Sequence, residues 1–79
     1  MNSPVATIEY LVNNLVDNPE QVVITHIPGA SEDVIELRVA ESDLGKVIGK
    51  NGSVARALRV LLSAMSIRAE KNYLLEIID

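Results

Sequence analysis

The chain has 79 residues, a formal net charge of −4 and no cysteine, so it suffices for one small domain and holds no disulfide or thiolate metal site. No apolar run approaches the roughly 20 residues that a membrane-spanning helix needs, and the N-terminus lacks the basic and apolar segments of a signal peptide. We therefore expect a single domain over residues 1–79, in the cytoplasm and away from membranes, with no bound cofactor.

The charges are distributed unevenly along the chain. Residues 1–43 carry eight acids and one base, whereas residues 44–69 carry five bases and no acid. Residues 70–79 return to a formal charge of −2. A basic segment in an acidic chain can bind phosphate groups, while the acidic remainder limits non-specific association. The alternative interpretation is a charged helix face that only contacts water.

The first predicted element is a helix that begins at Ser3 and Pro4. Serine supplies a capping side chain, and proline suits the first turn of a helix. Apolar residues then recur at helical spacing and predict one buried stripe, at Val5, Ile8, Leu11, Val12, Leu15 and Val16. The segment Asp17–Pro19 is expected to stop this helix.

Two strands are predicted next, joined by a turn at residues 28–31. β-Branched and apolar side chains dominate residues 21–27, which is typical of a strand. Residues 34–39 alternate between apolar and charged side chains, which predicts a strand with one face in water. His26 is the only histidine and lies in the first strand, where we expect a structural rather than a catalytic role.

A short helix and a glycine loop are expected after these strands. Ser42 and Asp43 can cap the helix, which runs to about Ile48. The loop has a glycine at each end and a polar pair between them, in the order Gly49, Lys50, Asn51 and Gly52. Ser53 follows the loop and can cap the next helix.

This Gly49–Gly52 loop has the chemistry of a site for a phosphodiester backbone. Glycine permits positive φ angles and close approach of another backbone. A helix N-terminus and the Lys50 ammonium would both attract a phosphate. We interpret the loop as a clamp for a nucleic-acid backbone.

A second long helix is predicted over residues 53–66, and a last strand over residues 73–78. The helix carries the expected core stripe at Val54, Leu58, Leu61, Leu62 and Met65. A second apolar stripe beside it consists of Ala57, Val60, Ala64 and Ile67. So wide an apolar surface indicates burial against two bodies. The helix is either sunk between the sheet and the first helix or self-associates, with Val60, Ala64 and Ile67 as candidate dimer contacts.

The element order and the segment Val47–Gly52 resemble a KH domain. A helix and two strands before the loop, and one strand after it, resemble the type II or prokaryotic topology. This resemblance implies an α+β fold of the order helix–strand–strand–helix–helix–strand, in which helices cover one side of a three-stranded sheet. Over nearly its full length the chain is similar to small bacterial proteins that consist of one KH module, the KhpA type.

The resemblance implies RNA contacts around the loop. Gly49 and Gly52 match the glycines that let the RNA backbone approach, and Lys50 supplies a cation for a phosphate. Matching positions before, within and after the loop complete the expected site: Gly45, Lys46, Val47, Ile48, Asn51, Ser53, Arg56 and Arg59. In KH domains the apolar residues before the loop line a groove for about four nucleotides. Leu37 and Val39 are weaker candidates for its wall, since a core role suits both.

The family also implies an activity and partners. It implies a protein that clamps single-stranded RNA with low sequence specificity, as an RNA chaperone or post-transcriptional regulator. It implies homodimers and a complex with a larger partner that carries a KH module. The chain has no Phe or Trp, so a platform that stacks bases on aromatic rings is not expected.

Two other nucleotide-binding interpretations fit the residues less well. An NTPase phosphate loop needs G-x-x-x-x-G-K-[ST] after a strand, but three residues separate Gly45 from Gly49, and Asn51 replaces the Ser or Thr. A helix-turn-helix DNA reader should present polar side chains along its second helix, whereas this helix soon becomes apolar.

Catalysis and pure protein interaction are the remaining alternatives. No nucleophile–base set or carboxylate pair can be named, and Asp43 near Lys46 and Lys50 is more simply a helix cap. We therefore expect the chain not to be an enzyme. A dimerisation module with weak or no RNA binding, which uses the second apolar stripe, stays open as an alternative function.

Overall fold

The computed structural model describes residues 3–79 of the chain. It contains the helices α1 (Pro4–Asn13), α2 (Leu44–Ile48) and α3 (Ser53–Ala69) and the strands β1 (Val23–Ile27), β2 (Glu32–Arg38) and β3 (Asn72–Ile78). Short 3₁₀ turns lie at residues 19–21, 41–43 and 50–52. The order α1–β1–β2–α2–α3–β3 confirms the predicted α+β fold and its succession of elements.

The sheet has β2 at its centre, with β1 antiparallel on one side and β3 parallel on the other. β1 and β2 follow one another through a short turn. A parallel neighbour needs a crossover connection, which α2 and α3 provide. In the middle of the register, Ile35 lies between His26 of β1 and Leu75 of β3.

The helices cover one face of this sheet and form the core with it. In β2, Asp33, Ile35 and Leu37 are buried, and they alternate with more exposed residues. The buried apolar cluster takes residues from all three helices and from β2 and β3: Ile8, Val12, Ile35, Leu37, Val47, Leu58, Leu62 and Leu75. The opposite face keeps exposed apolar side chains at Val23, Ile27 and Leu74. This arrangement confirms a three-stranded sheet covered by helices on one side.

Helix α1 is shorter and α3 longer than predicted. α1 ends just before Asn14, whose side-chain amide donates to the Tyr10 carbonyl at 2.7 Å and so satisfies an acceptor of the last turn. Leu15, for which the sequence predicts burial in the apolar stripe, lies beyond the end of the helix and is 41% exposed. α3 continues to Ala69, and the left-handed conformation of Glu70 ends it.

The structure confirms the predicted side-chain cap of α1 but not those of α2 and α3. The Ser3 hydroxyl accepts a hydrogen bond from the Ala6 N–H at 3.0 Å and caps α1, which confirms that prediction. The cap prediction for Ser53 is wrong, because Gly52 occupies the N-cap position of α3 in the left-handed conformation. Asp43 stands at the start of α2, but its carboxylate makes no cap hydrogen bond to that helix.

Candidate nucleic-acid interface

The Gly49–Gly52 loop has a backbone that few residue types adopt. Gly49 has φ +77°, and a Cβ there would lie 2.5 Å from the Val54 Cγ2 and 2.7 Å from the Val54 nitrogen. Asn51 (φ 56°) and Gly52 (φ 76°) are both left-handed, a conformation that glycine and, less readily, asparagine adopt. The first position of the loop therefore requires glycine.

This backbone is presented to solvent beside a helix N-terminus. Lys50 and Asn51 are exposed, and the Gly52 N–H donates to the Gly49 carbonyl at 3.1 Å, which closes the turn. The 17-residue helix α3 starts directly after the loop. Its first N–H groups and the positive end of its dipole therefore lie next to the loop.

Two cations lie at the loop. The Arg56 guanidinium donates from Nη1 to the Asn51 carbonyl at 2.6 Å, which stabilises the left-handed segment from within α3. Arg56 remains exposed, so its other donors face solvent. Among residues 3–79, no carboxylate lies within ion-pair distance of the Lys50 ammonium. Both cations are available to a phosphate.

An open groove of about 320 Å³ runs from the loop between α2, α3 and β3. Its apolar lining comes from Leu44 and Ile48 of α2, Ala55 of α3 and Ile77 of β3. Arg56 and Arg59 line the same groove and supply hydrogen-bond donors. Asp79 lines the groove as well, so the groove combines an apolar floor with two cations and one acidic side chain, next to the loop.

Arg59 connects this groove to the outer edge of the sheet. Its Nη2 donates to the Leu75 carbonyl at 3.2 Å. Two turns further along α3, the Ser66 hydroxyl accepts from the Tyr73 N–H at 3.1 Å. Side chains of α3 thus satisfy part of the free edge of β3 and hold the groove wall in place.

The start of α2 is tied to the α1–β1 connection by a buried carboxylate. Asp43 is fully buried and accepts hydrogen bonds from the N–H groups of Asp17 (3.1 Å) and Asn18 (3.0 Å) and from the Asn18 side-chain amide (3.1 Å). Burial alone would raise the pKa of Asp43, but these hydrogen bonds outweigh it and hold the pKa below its ordinary value.

Lys46 belongs to the same cluster. Its ammonium lies 3.2 Å from the Asp17 carboxylate and 3.5 Å from the Asp43 carboxylate. The hydrogen bond to Asp17 and the charge of that carboxylate raise the pKa of Lys46. The ammonium therefore already has two anionic partners.

The structure brings most of the predicted site residues together at one end of the molecule. Ile48, Arg56 and Arg59 lie along the groove, beside the loop. Gly45 lies on α2, where a Cβ would meet nothing within 4 Å. Val47 is fully buried and supports α2 from the core.

Two residues that the sequence offers as weaker candidates for the groove wall lie outside the groove. Leu37 is fully buried, as its core role requires. Val39 is half-buried and lines a neighbouring depression of about 430 Å³ together with Arg38 and Glu41. Neither residue lines the groove beside the loop.

Four groove residues were missed from the sequence: Leu44, Ala55, Ile77 and Asp79. The spacing of Leu44 and Ile48 puts both on one face of α2, and that signal could have found Leu44. Ile77 is brought to the groove by the parallel pairing of β3 with β2, where it lies opposite Leu37. No local pattern contains that information.

His26 has a structural partner. Its Nε2 lies 2.6 Å from an oxygen of the buried Asp33 carboxylate, which also pairs with the Lys71 ammonium at 2.9 Å and accepts from the Gly29 N–H at 3.1 Å. The hydrogen bonds from Lys71 and then His26 lower the pKa of Asp33 to about 2. This cluster joins β1, the β1–β2 turn and the segment before β3.

The outer side of α3 carries the second apolar stripe. Val60 is 69% and Ile67 82% exposed, and Ala64 between them is exposed as well. A hollow of about 480 Å³ adjoins it, lined by residues of α1, α3 and β3 that include Leu61 and Met65. Deep burial of the whole helix is therefore excluded, and this stripe remains uncovered in the chain.

Two classes of site are not found within residues 3–79. These residues contain no group of three or more His, Cys, Asp or Glu side chains that could hold a metal ion. None of the helices they form has the length and apolar character needed to cross a membrane.

Comparisons with known proteins agree with the geometry. The sequence profile of the KhpA/KhpB KH domain matches residues 5–77. A protein of Treponema pallidum named RNA-binding protein KhpA is 51% identical over 72 residues, which cover 91% of this chain and 90% of the relative. Proteins of the same name from Aquifex aeolicus (47% identity, 91% of each chain) and Borreliella burgdorferi (43%, 91% of this chain and 88% of the relative) are also similar. No solved structure matches significantly.

Proposed function

The chain belongs to the KhpA/KhpB family of KH domains, and from this we propose that it binds single-stranded RNA in the cytoplasm with low sequence specificity. The family is non-enzymatic, which confirms that the chain is not an enzyme. Its similar relatives are named RNA-binding proteins. The cellular role that we propose is that of an RNA chaperone or post-transcriptional regulator.

One observation carries the proposal: the Gly49–Gly52 loop is a solvent-facing backbone at the N-terminus of α3. The RNA backbone lies across this loop, where the absence of side chains on the glycines permits close approach. Lys50 supplies a charge for one phosphate, and the donors of Arg56 that face solvent supply a second contact.

The bases lie in the groove that begins at the loop. Its apolar floor of Leu44, Ile48 and Ile77 contacts base faces without aromatic stacking. Arg59 on the basic side donates to base edges or to a further phosphate. An apolar floor accepts every base face, and this accounts for the low sequence specificity that we propose.

The test is RNA binding by a variant that reverses the charge of the loop. Lys50→Asp with Asn51→Asp puts two carboxylates where phosphates bind, so we expect the affinity for a fluorescent single-stranded RNA to fall at least tenfold in anisotropy titrations. The loop is exposed, so the variant should keep the wild-type melting temperature. Equal RNA affinity of the variant and the wild type would contradict the proposal.

A matched control separates the loop from net charge. Ala30→Asp with Ser31→Asp adds two negative charges in the exposed β1–β2 turn, at the end of the sheet remote from the loop. We expect this control to bind RNA nearly as well as the wild type. A loss as large as that of the loop variant would indicate a general charge effect.

A second candidate function, dimerisation, is favoured by the exposed stripe on α3. Val60, Ala64 and Ile67 leave an apolar strip that self-association would bury. A homodimer, or a complex with a larger KH-containing partner, would present two RNA grooves and raise the effective concentration of the second.

Sedimentation of stripe variants tests this second function. Val60→Asp or Ile67→Asp should convert a dimer to a monomer, because a carboxylate would be buried without a partner. Ser31→Asp, which adds the same charge at an exposed position of the β1–β2 turn, outside α3, is the control and should stay dimeric. Dimers of unchanged stability in both stripe variants would place the interface elsewhere.

A further inference from the structure

Helix α2 cannot fix the loop by itself. It has five residues, and helices of this length are not stable without tertiary contacts. Its one buried side chain is that of Val47. The position of the loop therefore also depends on what holds the two ends of α2. Its C-terminal end continues through the loop into α3, and its N-terminal end is held at Asp43.

Asp43 fixes that end against a segment remote in sequence. Its carboxylate is fully buried and uses both oxygens, one toward the Asp17 N–H and the other toward the two Asn18 donors. Three hydrogen bonds to one buried carboxylate define the position of α2 relative to the α1–β1 connection. Loss of any of them would leave a part-buried donor without its partner.

Lys46 adds a second link between the same segments. It bridges the carboxylates of Asp17 and Asp43, one helical turn before the loop. It does not line the groove, whose lining on α2 comes from Leu44 and Ile48. A phosphate at Lys46 would have to approach two carboxylates that already share the ammonium, which cancels most of the attraction.

We propose that Asp43 and Lys46 are positioning residues, which set the RNA-binding loop from the α1–β1 connection, and that Lys46 does not contact RNA. This inference rests on the proposed function. It changes the role that the family resemblance gives to the Gly–Lys pair before the loop. It also makes RNA affinity depend on the Asp17–Asn18 segment, about 30 residues before the loop.

The variant Asp43→Asn distinguishes positioning from electrostatics, because the two predict opposite signs. It removes a negative charge near the RNA, so electrostatics alone predicts tighter binding. It also places a side-chain donor against backbone donors, so positioning predicts weaker binding, by about threefold to thirtyfold. The deciding measurement is the RNA affinity of this variant by fluorescence anisotropy, at a temperature well below its melting temperature. Unchanged or tighter binding by the folded variant overturns the inference.

Salt dependence provides an independent test at Lys46. A cation that neutralises a phosphate contributes about 0.7 to the slope of log K against log salt on single strands. We expect Lys50→Gln to lower the slope by about this amount. Lys46→Gln should weaken binding at every salt concentration and leave the slope unchanged. An equal loss of slope in both variants would assign Lys46 to a phosphate and overturn the inference.

A measurement without RNA separates this inference from the proposed function. In Asp43→Asn, the NMR amide shifts of residues 50–52 should move, because α2 loses its anchor. Asp33→Asn is the control, since it removes another buried, hydrogen-bonded carboxylate at the opposite end of the sheet and should leave those shifts in place. Loop amides unmoved in Asp43→Asn refute positioning. A wild-type chain without RNA affinity, but with the expected shifts, refutes the proposed function alone.

Discussion

Gly45 and Gly49 lie one helical turn apart, yet the structure has room for a side chain at Gly45 and none at Gly49. A Cβ at Gly45 would meet no atom within 4 Å, and the residue has helical surroundings in α2. A Cβ at Gly49 would collide with Val54, and the backbone there has positive φ. Only the second glycine is needed for the loop conformation.

The two alanine variants should therefore change stability in opposite directions. Gly49→Ala forces a side chain into positive φ and against the α3 backbone, so we expect a loss of about 2 kcal/mol in the free energy of unfolding. Gly45→Ala should add about 1 kcal/mol through helix propensity. Urea unfolding followed by circular dichroism measures both. A stable Gly49→Ala variant would show that the loop has another conformation.

The pKa of Asp33 gives a pH dependence of stability. Hydrogen bonds from Lys71 and His26 lower that pKa to about 2, from 3.8. A lowered carboxyl pKa contributes stability that is present above the unfolded value and lost as the pH falls through the folded value. Wild type should therefore be more stable than Asp33→Asn at pH 5 to 7, and the difference should shrink toward pH 2. A pH-independent difference in urea unfolding would contradict this.

At the scale of secondary-structure elements, the strands and helices could be predicted because the sequence patterns that indicate them are local. The alternation in β2 and the apolar spacing in α1 and α3 reflect which face is buried. The end of α1 did not follow, because it depends on the side-chain bond of Asn14 to Tyr10. The start of α3 did not follow either, because a left-handed Gly52 replaced Ser53 as the cap.

The two serines at helix starts provide a test of this difference. Ser3→Ala removes the bond to the Ala6 N–H and should cost about 1 kcal/mol of unfolding free energy. Ser53→Ala removes no cap and replaces serine by a better helix former, so stability should stay equal or rise by a few tenths of a kcal/mol. Urea unfolding of the two variants measures both effects. A large loss of unfolding free energy in Ser53→Ala would show that the Ser53 side chain does cap α3.

The candidate site could be predicted in part from the sequence. The Gly49–Gly52 loop and Ile48 follow from a local motif, and the structure places them at one groove. The cluster of Asp43 with Asp17 and Lys46 joins segments about 25 residues apart, so no local spacing reveals it. Ile77 reaches the groove only through the strand pairing.

At the scale of the whole molecule, charge is separated along the chain and in space. The cations of residues 44–69 include Lys50, Arg56 and Arg59 at the loop and groove, while the first 43 residues carry eight acids and one base. In the middle of the open sheet face, Glu36 and Glu76 lie opposite each other on neighbouring strands. We therefore expect RNA to be attracted to the loop end of the molecule rather than to the open sheet face.

This separation predicts a modest salt dependence. Three cations at the site, each with a slope of about 0.7, give an overall slope near −2. We expect RNA affinity to fall about twentyfold between 50 and 200 mM monovalent salt in anisotropy titrations. A steeper slope would require cations outside the site, and a flat one would exclude phosphate contacts at the loop.

Strand β3 is the last element of the described chain, yet it pairs in register with β2 some 40 residues earlier. On the ribosome, the sheet and the groove wall at Ile77 can therefore form only after residues 72–78 have left the exit tunnel. A nascent or truncated chain without these residues already contains the glycine loop but no groove beside it. We therefore expect such an incomplete chain to bind RNA more weakly than the finished molecule.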